Sequence, residues 1–171
     1  MMGYYNLPDK TAEAIDNEGW FHTGDIGMFV EGKYLKITDR KKEIFKTSGG
    51  KYITPQAMEN KFKESRFIEQ VMVIGEGQKF PAAFIVPAFS FIKDWALRKG
   101  ISLPETREAI CENEAVLQRI QKEVDEVNAT LGNFEAIKKF ALLPREWTVE
   151  GGELSPKLSL KRRVILSENA A

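Results

Sequence analysis

One segment, from Gly19 to Pro55, constrains this chain more than any other. It contains an aspartate in the turn-forming run Thr23-Gly24-Asp25, an Asp39-Arg40 pair, a lysine-rich stretch and the double glycine Gly49-Gly50. Taken singly, these features are typical of an ordinary turn, a solvated ion pair and a hairpin. Their joint order favours a ligand-binding segment over a set of unrelated surface turns.

Hydrophobic periodicity and turn residues divide the chain into short helices and strands. Gly100 and Gly132 are predicted to end two helices, and Thr54-Pro55 to start another as N-cap and first helical residue. The predicted strands are 26–30, 34–38, 42–47, 51–53, 71–75, 82–86 and 137–143, and the predicted helices are 10–15, 55–65, 89–99, about 117–131 and one at the C-terminus. This order predicts an α+β fold, a small mixed sheet with packed helices, preceded by a β-hairpin.

Composition excludes several classes of function. Lysine plus arginine and aspartate plus glutamate each total 25, so no overall field attracts nucleic acid, and the 43% hydrophobic content argues against disorder. No apolar run approaches the roughly 18 residues needed to span a bilayer. Cys111 is the only cysteine and His22 the only histidine. An internal disulfide, a histidine-based catalytic triad and a histidine metal cluster are therefore excluded, and no metal site is predicted.

The run from Asp39 to Pro55 resembles the pattern D-R-K-K-E-[IL]-[FI]-K-T-[SA]-G-G-K-x-[IV]-x-P of the adenylate-forming enzymes, and most closely that of the long-chain fatty-acid CoA ligases. The opening Gly3 to Asp25 is similar to the same group, so the resemblance covers nearly the whole chain. A helical insertion between Val86 and Ile137 favours these ligases over peptide-synthetase adenylation domains, which usually have a shorter connection there.

The resemblance implies that the chain contains parts of two domains. Residues 1–38 would be the C-terminal tail of a large AMP-binding domain, and residues 39–171 the small mobile C-terminal domain. Such enzymes first join a carboxylate to ATP, giving acyl-AMP and pyrophosphate, and then rotate the small domain so that the CoA thiolate attacks the acyl-adenylate. Because the ATP phosphate loop and the acyl pocket belong to the large domain, we expect residues 1–171 alone to be an inactive fragment of the ligase.

The resemblance also assigns roles to individual residues. Asp25 and Arg40 match the residues that bind the nucleotide ribose, which suits a carboxylate that accepts from two hydroxyls and a rigid guanidinium that donates. Asp39 matches the hinge. Lys46 would face the thioester-forming site and border the pantetheine channel of CoA together with Gly49 and Gly50, where missing side chains permit close approach.

The adenylation lysine is where the chain departs from the pattern. The family run L-T-P-T-x-K-x-K-R is matched by Leu154 to Arg162, and strict register places Ser159 where the lysine belongs. Lys161 or Lys157 could serve instead, another cation could substitute, or adenylation could be impaired; we favour Lys161. The basic run Lys157 to Arg163 is otherwise typical of a solvated or phosphate-steering patch.

The resemblance implies ATP/AMP and CoA as cofactors, with Mg²⁺ held through the ATP phosphates and the large domain, and a fatty acid as substrate. The expected partner is the N-terminal AMP-binding domain of the same chain, and no nucleic acid is expected. The expected location is the cytoplasm, with peripheral association at the inner face of a membrane left open. Two alternatives remain: another adenylate-forming ligase (an aryl-CoA ligase or a peptide-synthetase adenylation domain), or a non-catalytic interaction module, which Ser159 favours.

Overall fold

The computed structural model describes residues 1–169 of the chain. Its strands are β1 Asp25–Val30, β2 Tyr34–Arg40, β3 Phe45–Lys46, β4 Tyr52–Ile53, β5 Ile68–Ile74, β6 Ala82–Pro87 and β7 Lys139–Leu142. Its helices are α1 Pro8–Ala14, α2 Pro55–Phe62, α3 Phe89–Lys99, α4 Arg107–Glu112, α5 Glu114–Asn128 and α6 Arg162–Glu168. Within these residues, no helix combines the length and the apolar character needed to cross a bilayer.

Two antiparallel pairs precede the main sheet. β1 and β2 form the predicted hairpin, whose turn places Glu31 and Gly32 at positive φ, 54° and 66°. β3 and β4 pair antiparallel across the double glycine, as the sequence indicates. The chain then enters α2 with Pro55 in its first turn, where a fixed φ and a missing N–H suit a helix start.

The main sheet is mixed, with the order β5-β6-β7. β5 runs antiparallel to β6, whereas β7 runs parallel to β6 after a connection that contains α3, α4 and α5. A parallel neighbour requires such a crossover, so the helical insertion predicted from the sequence is the connection that brings β7 into register. The predicted α+β architecture, with a mixed sheet and packed helices, is confirmed.

Helix ends follow local signals in one case and tertiary contacts in another. α3 ends at Gly100, in the left-handed region at φ 68°, as predicted. α5 ends at Asn128, earlier than the predicted Gly132. The Asn128 side chain donates to the carbonyl of Ile137 and accepts from its amide, at 2.9 and 2.8 Å, and these bonds turn the chain toward β7.

The hydrophobic core lies entirely after the first two strands. Its buried side chains come from β3 to β6, from α2 to α6 and from connecting segments, and they begin at Phe45 and extend to Ile165; β7 adds the partly buried Phe140 and Leu142. No residue from 1 to 38 is buried in the described structure. Several large apolar side chains of this part are exposed instead, among them Tyr5, Leu7, Trp20, Met28, Phe29, Tyr34, Leu35 and Ile37.

Candidate functional site

Asp25 and Arg40 face each other across the first hairpin. They are partners in the β1–β2 register, and the guanidinium Nε of Arg40 lies 3.5 Å from the Asp25 carboxylate. Thr23 Oγ accepts from the Asp25 amide at 3.1 Å, and Gly24 adopts φ 76° at the turn. The Arg40 side chain is 67% exposed and that of Asp25 30%, so both point to a surface that a ligand could reach.

Asp39 lies on the opposite face of β2 and is fully buried. One carboxylate oxygen accepts from the amide of Arg40 at 2.6 Å, and the other accepts from the amide of Gln56 at 3.1 Å. Thr54 occupies the predicted N-cap position of α2, but its side chain makes no capping hydrogen bond, and Asp39 satisfies the free helical amide instead. Burial is the main cause that raises the pKa of the Asp39 carboxyl.

The turn from Lys46 to Gly50 projects beside the loop that joins β5 and β6. Lys46 is exposed, with Nζ 5.3 Å from the centre of the Tyr52 ring, and Gly50 adopts φ 80°. Backbone bonds from Gly77 to the Lys46 carbonyl and from Ser48 to the Gln78 carbonyl, both 2.9 Å, fix the turn against the neighbouring loop. The structure thus brings Lys46, Gly49 and Gly50 together on one exposed edge.

Residues 154–161 form a tight turn before α6. Leu154 and Leu160 pair as an isolated antiparallel bridge, and the Lys161 amide donates to the Glu153 carbonyl at 2.8 Å. Leu158 adopts φ 59°, which is uncommon for a residue with a side chain. Lys157, Ser159 and Lys161 are all exposed.

Lys161 lines a cleft of about 1200 Å³ between the post-hinge turn, the β5–β6 loop and α6. Its lining combines apolar side chains, the carboxylates of Glu43 and Glu76, the ion-paired Arg162 and five further cations, called the cationic rim below: Lys42, Lys79, Lys139, Lys161 and Arg163. None of the five forms an ion pair within residues 1–169. Lys157 and Ser159 are not among the described residues that line the cleft.

Sequence reasoning missed most of this rim. Lys42, Lys79 and Lys139 come from a turn, a loop and a strand that are far apart along the chain, and each is an ordinary surface lysine in its local context. No local pattern signals that the fold brings them together. Asp25, Arg40 and Lys46 do not line this cleft, so within the described residues the cleft contains only Lys161 of the predicted site residues.

The only histidine and the only cysteine take no part in these groups. His22 Nε2 lies 3.0 Å from the Asp16 carboxylate at the surface. Cys111 is buried in α4, where desolvation raises the pKa of its thiol to about 11, which suits a packed side chain and not a nucleophile. Across the part of the chain that the structure describes, no three metal-ligating side chains cluster.

Comparison with known proteins finds one matching family model and several similar ligases. A family model described as "AMP-binding enzyme C-terminal domain" matches residues 42–171. A long-chain-fatty-acid–CoA ligase 1 from Cavia porcellus is 39% identical over 94% of this chain and 23% of that protein. A peroxisomal long chain acyl-CoA synthetase 7 from Arabidopsis thaliana is 37% identical over the same shares. A putative fatty-acid–CoA ligase, fadD11, from Mycobacterium tuberculosis is 36% identical over 100% of this chain and 30% of that protein.

Solved structures with a similar fold are adenylation domains. The adenylation domain of a carboxylate reductase from Mycobacterium chelonae matches with a TM-score of 0.80 at 25% identity, over 98% of this chain and 24% of that one. The A domain of a carboxylic acid reductase from Segniliparus rugosus, solved with AMP and a co-purified carboxylic acid, matches with a TM-score of 0.75 at 25% identity, over 98% and 25%. The chain spans 23% to 30% of the length of the three ligases from Cavia porcellus, Arabidopsis thaliana and Mycobacterium tuberculosis.

Proposed function

The chain belongs to the family of AMP-binding enzyme C-terminal domains, and on that premise we propose that it is the C-terminal part of an ATP-dependent long-chain fatty acid–CoA ligase. The observation that carries the proposal is the exposed Asp25–Arg40 pair, placed directly beside the buried Asp39. A carboxylate and a guanidinium open to solvent can bind a ribose, while the adjacent residue anchors the following helix. The relatives named above as fatty-acid and acyl-CoA ligases support the choice of substrate class.

We propose that residues 1–38 are the tail of a large domain and that residues 39–171 form the small mobile domain. Two observations support this division. The core begins at Phe45, and the first hairpin exposes apolar side chains such as Phe29 and Leu35 that a folded neighbour would cover. Asp39 then lies at the junction, where a few backbone dihedrals could absorb a rotation.

In the first half-reaction, Asp25 accepts hydrogen bonds from the ribose hydroxyls and Arg40 donates to the same sugar. The cationic rim containing Lys161 faces the negative charge that develops as the carboxylate attacks the α-phosphate. We keep Lys161 as the adenylation cation because it lines the cleft, which neither Lys157 nor Ser159 does among the described residues. Mg²⁺ would arrive with the ATP phosphates.

In the second half-reaction, the edge formed by Lys46, Gly49 and Gly50 borders the pantetheine channel. The glycines carry no side chains, and the backbone of the turn is held by bonds to the β5–β6 loop. The two functional edges are formed by different side chains, because Lys46 does not line the cleft that Lys161 lines, although its neighbour Phe45 does. A domain that rotates can therefore present one edge at a time to a single active site.

The partners that follow from this proposal are a fatty acid, CoA, ATP and the AMP-binding domain of the same chain. The protein would act in the cytoplasm, and contact with a membrane at its inner face would be peripheral. A non-catalytic module that keeps the same scaffold is the second candidate, and Ser159, in place of the lysine of the family pattern, is the observation that favours it.

The test is fatty-acid-dependent release of pyrophosphate by the complete protein that contains residues 1–171. We expect pyrophosphate release to require both ATP and a long-chain fatty acid. We expect acyl-CoA to form when CoA is then added. Preference for aryl or amino acids over acyl chains would redirect the proposal to another adenylate-forming ligase. A protein that folds and yet releases no pyrophosphate with any carboxylate would favour the non-catalytic module.

A further inference from the structure

Arg162 differs from the other cations of its basic run because it is mostly buried and fully engaged. Its side chain is 18% exposed and contacts three separate parts of the domain. Nη2 donates to both carboxylate oxygens of Glu59 at 2.8 Å, Nη1 donates to the Val73 carbonyl at 3.1 Å, and Nε donates to Glu43 at 3.3 Å. A planar guanidinium with three fixed partners is compatible with one orientation only.

The Arg162–Glu59 pair occupies the open edge of the main sheet. Val73 in β5 lies opposite Ala83 of β6, but its backbone amide and carbonyl form hydrogen bonds on the side of β5 that faces away from β6. The amide donates to Glu59 at 2.8 Å, and the carbonyl accepts from Arg162. The ion pair therefore takes the place of a neighbouring strand, which explains why two opposite charges are buried here.

The partners of Arg162 lead back to the proposed hinge along two short routes. Glu59 lies in α2, whose first turn is held by Asp39 through the amide of Gln56. Glu43 lies in the turn after β2, and its own amide bonds to the Arg40 carbonyl at 2.9 Å. The guanidinium of Arg162, the residue after Lys161, thus contacts both α2 and the turn after β2, and each of these is hydrogen-bonded to the hinge region.

We propose that Arg162 is a positioning residue for adenylate formation. It fixes the segment 157–161 to α2 and to the post-hinge turn, so that rotation about Asp39 carries the adenylation cation as part of one rigid body. The inference rests on the proposed function, but it does not depend on whether Lys161 or Lys157 touches the substrate. A displacement of about 1 Å in a stabilising group can cost about a hundredfold in rate, so a loosened anchor would slow this half-reaction strongly.

The test compares Arg162→Lys and Glu59→Gln with Arg119→Lys in the complete protein. Arg119 forms a partly buried ion pair with Glu123 in α5, away from the hinge and the cleft, and so controls for the loss of a buried guanidinium. The two half-reactions are measured separately, as fatty-acid-dependent pyrophosphate release and as transfer from preformed acyl-adenylate to CoA. We expect both Arg162→Lys and Glu59→Gln to slow adenylate formation about tenfold or more and transfer less than about twofold, and Arg119→Lys to leave the ratio unchanged.

The outcomes separate this inference from the function on which it rests. If the unmodified protein forms no acyl-adenylate, the proposed function fails and the inference fails with it. If that protein is active but Arg162→Lys slows both half-reactions equally, or neither, the positioning role is overturned and the proposed function stands.

A second measurement tests the anchor itself on residues 1–171. Amide hydrogen exchange should accelerate at Val73 and Lys161 in Arg162→Lys, because the first amide is shielded by the pair and the second lies in the anchored segment. In Arg119→Lys, exchange at these two amides should not change. Unchanged exchange at both amides in Arg162→Lys would show that Arg162 does not hold the segment and would overturn the proposal, whatever the enzyme does.

Discussion

The carboxylate of Asp39 accepts a hydrogen bond from the amide of Gln56, 3.1 Å away, and so joins the end of β2 to the first turn of α2. This contact spans the junction between the exposed hairpin and the buried core. The proposed hinge residue is therefore fixed to the small domain, because its side chain is hydrogen-bonded directly to α2.

The buried Asp39 carboxyl should give the stability of the chain a recognisable pH dependence. Its pKa is raised above the ordinary 3.8, mainly by desolvation, so the folded state keeps this proton to higher pH than the unfolded state does. The free energy of unfolding should therefore fall as pH rises from 3.8 through the raised pKa. Asp39→Asn should remove this contribution, which urea unfolding across that range would measure. The exposed Asp94, changed to asparagine, is the control, and an identical pH profile for wild type and Asp39→Asn would contradict the prediction.

Asp25→Asn should weaken nucleotide binding without unfolding the protein. A hydrogen bond to a charged acceptor is worth about 1.5–3 kcal/mol, so ATP affinity of the complete protein should fall about tenfold or more. Because the Asp25–Arg40 pair is exposed, the free energy of unfolding should change by less than about 1 kcal/mol. Calorimetric titration and denaturant unfolding check the two parts. Glu13→Gln, in the exposed Lys10–Glu13 pair, is the matched control and should leave ATP binding intact.

Lys161→Ala should slow acyl-adenylate formation about a hundredfold, the usual cost of losing one stabilising donor, with little effect on transfer to CoA. Single-turnover kinetics on each half-reaction measure the difference. Lys157→Ala is the comparison, because Lys157 belongs to the same turn and does not line the cleft among the described residues. A larger loss in Lys157→Ala would transfer the role to that residue, and a gain in Ser159→Lys would show that the strict register still reaches the substrate.

The buried apolar stripe of α5 should contribute strongly to the stability of the small domain. Ile120 is 0% exposed, and its replacement by alanine should lower the free energy of unfolding by about 2–5 kcal/mol, since the cavity cannot collapse fully. Leu97, in α3, is 81% exposed, and the same truncation there should change stability by no more than about 0.5 kcal/mol. Equal losses in the two variants, measured by denaturant unfolding, would contradict the burial of Ile120 in the core.

Cys111 should resist alkylation in the folded protein. With a pKa of about 11, raised first by burial and then by Glu108 and Glu112, only on the order of a thousandth of the thiol is ionised at about pH 8. Iodoacetamide labelling followed by mass spectrometry should be slow under native conditions and fast in denaturant. Rapid modification of the native chain would mean that α4 opens readily or that Cys111 is accessible.

Local signals in the sequence predicted the parts of the fold that depend on local geometry. The first hairpin, the entry to α2 at Pro55 and the end of α3 at Gly100 each depend on the backbone preferences of one or two residues. The end of α5 was placed too late because Asn128 bonds to Ile137, a contact that no helix signal encodes. Tertiary context decides such ends, and propensity does not.

The candidate site shows the same division. The resemblance assigned ribose binding to Asp25 and Arg40; both side chains are open to solvent in the structure, and the role itself stays a prediction. The basic run at 157–163, by contrast, looked uniform in sequence, yet Arg162 is mostly buried and ion-paired, whereas its neighbours Lys161 and Arg163, which line the same cleft, are exposed and form no ion pair within residues 1–169. Which cation is structural and which is free depends on Glu59, about a hundred residues earlier, and no local pattern conveys that.

The parallel pairing of β7 with β6 has a consequence for how the domain is made. β5 and β6 are joined by a short loop, whereas β7 returns across residues 88–138. Closing the longer connection costs more entropy and slows folding, so the third strand should join last. Until β7 has been synthesised up to Leu142, one edge of β6 has no strand partner. A nascent chain that stopped before this point would expose that edge to other chains. Completion of the sheet is therefore tied to synthesis of its final strand.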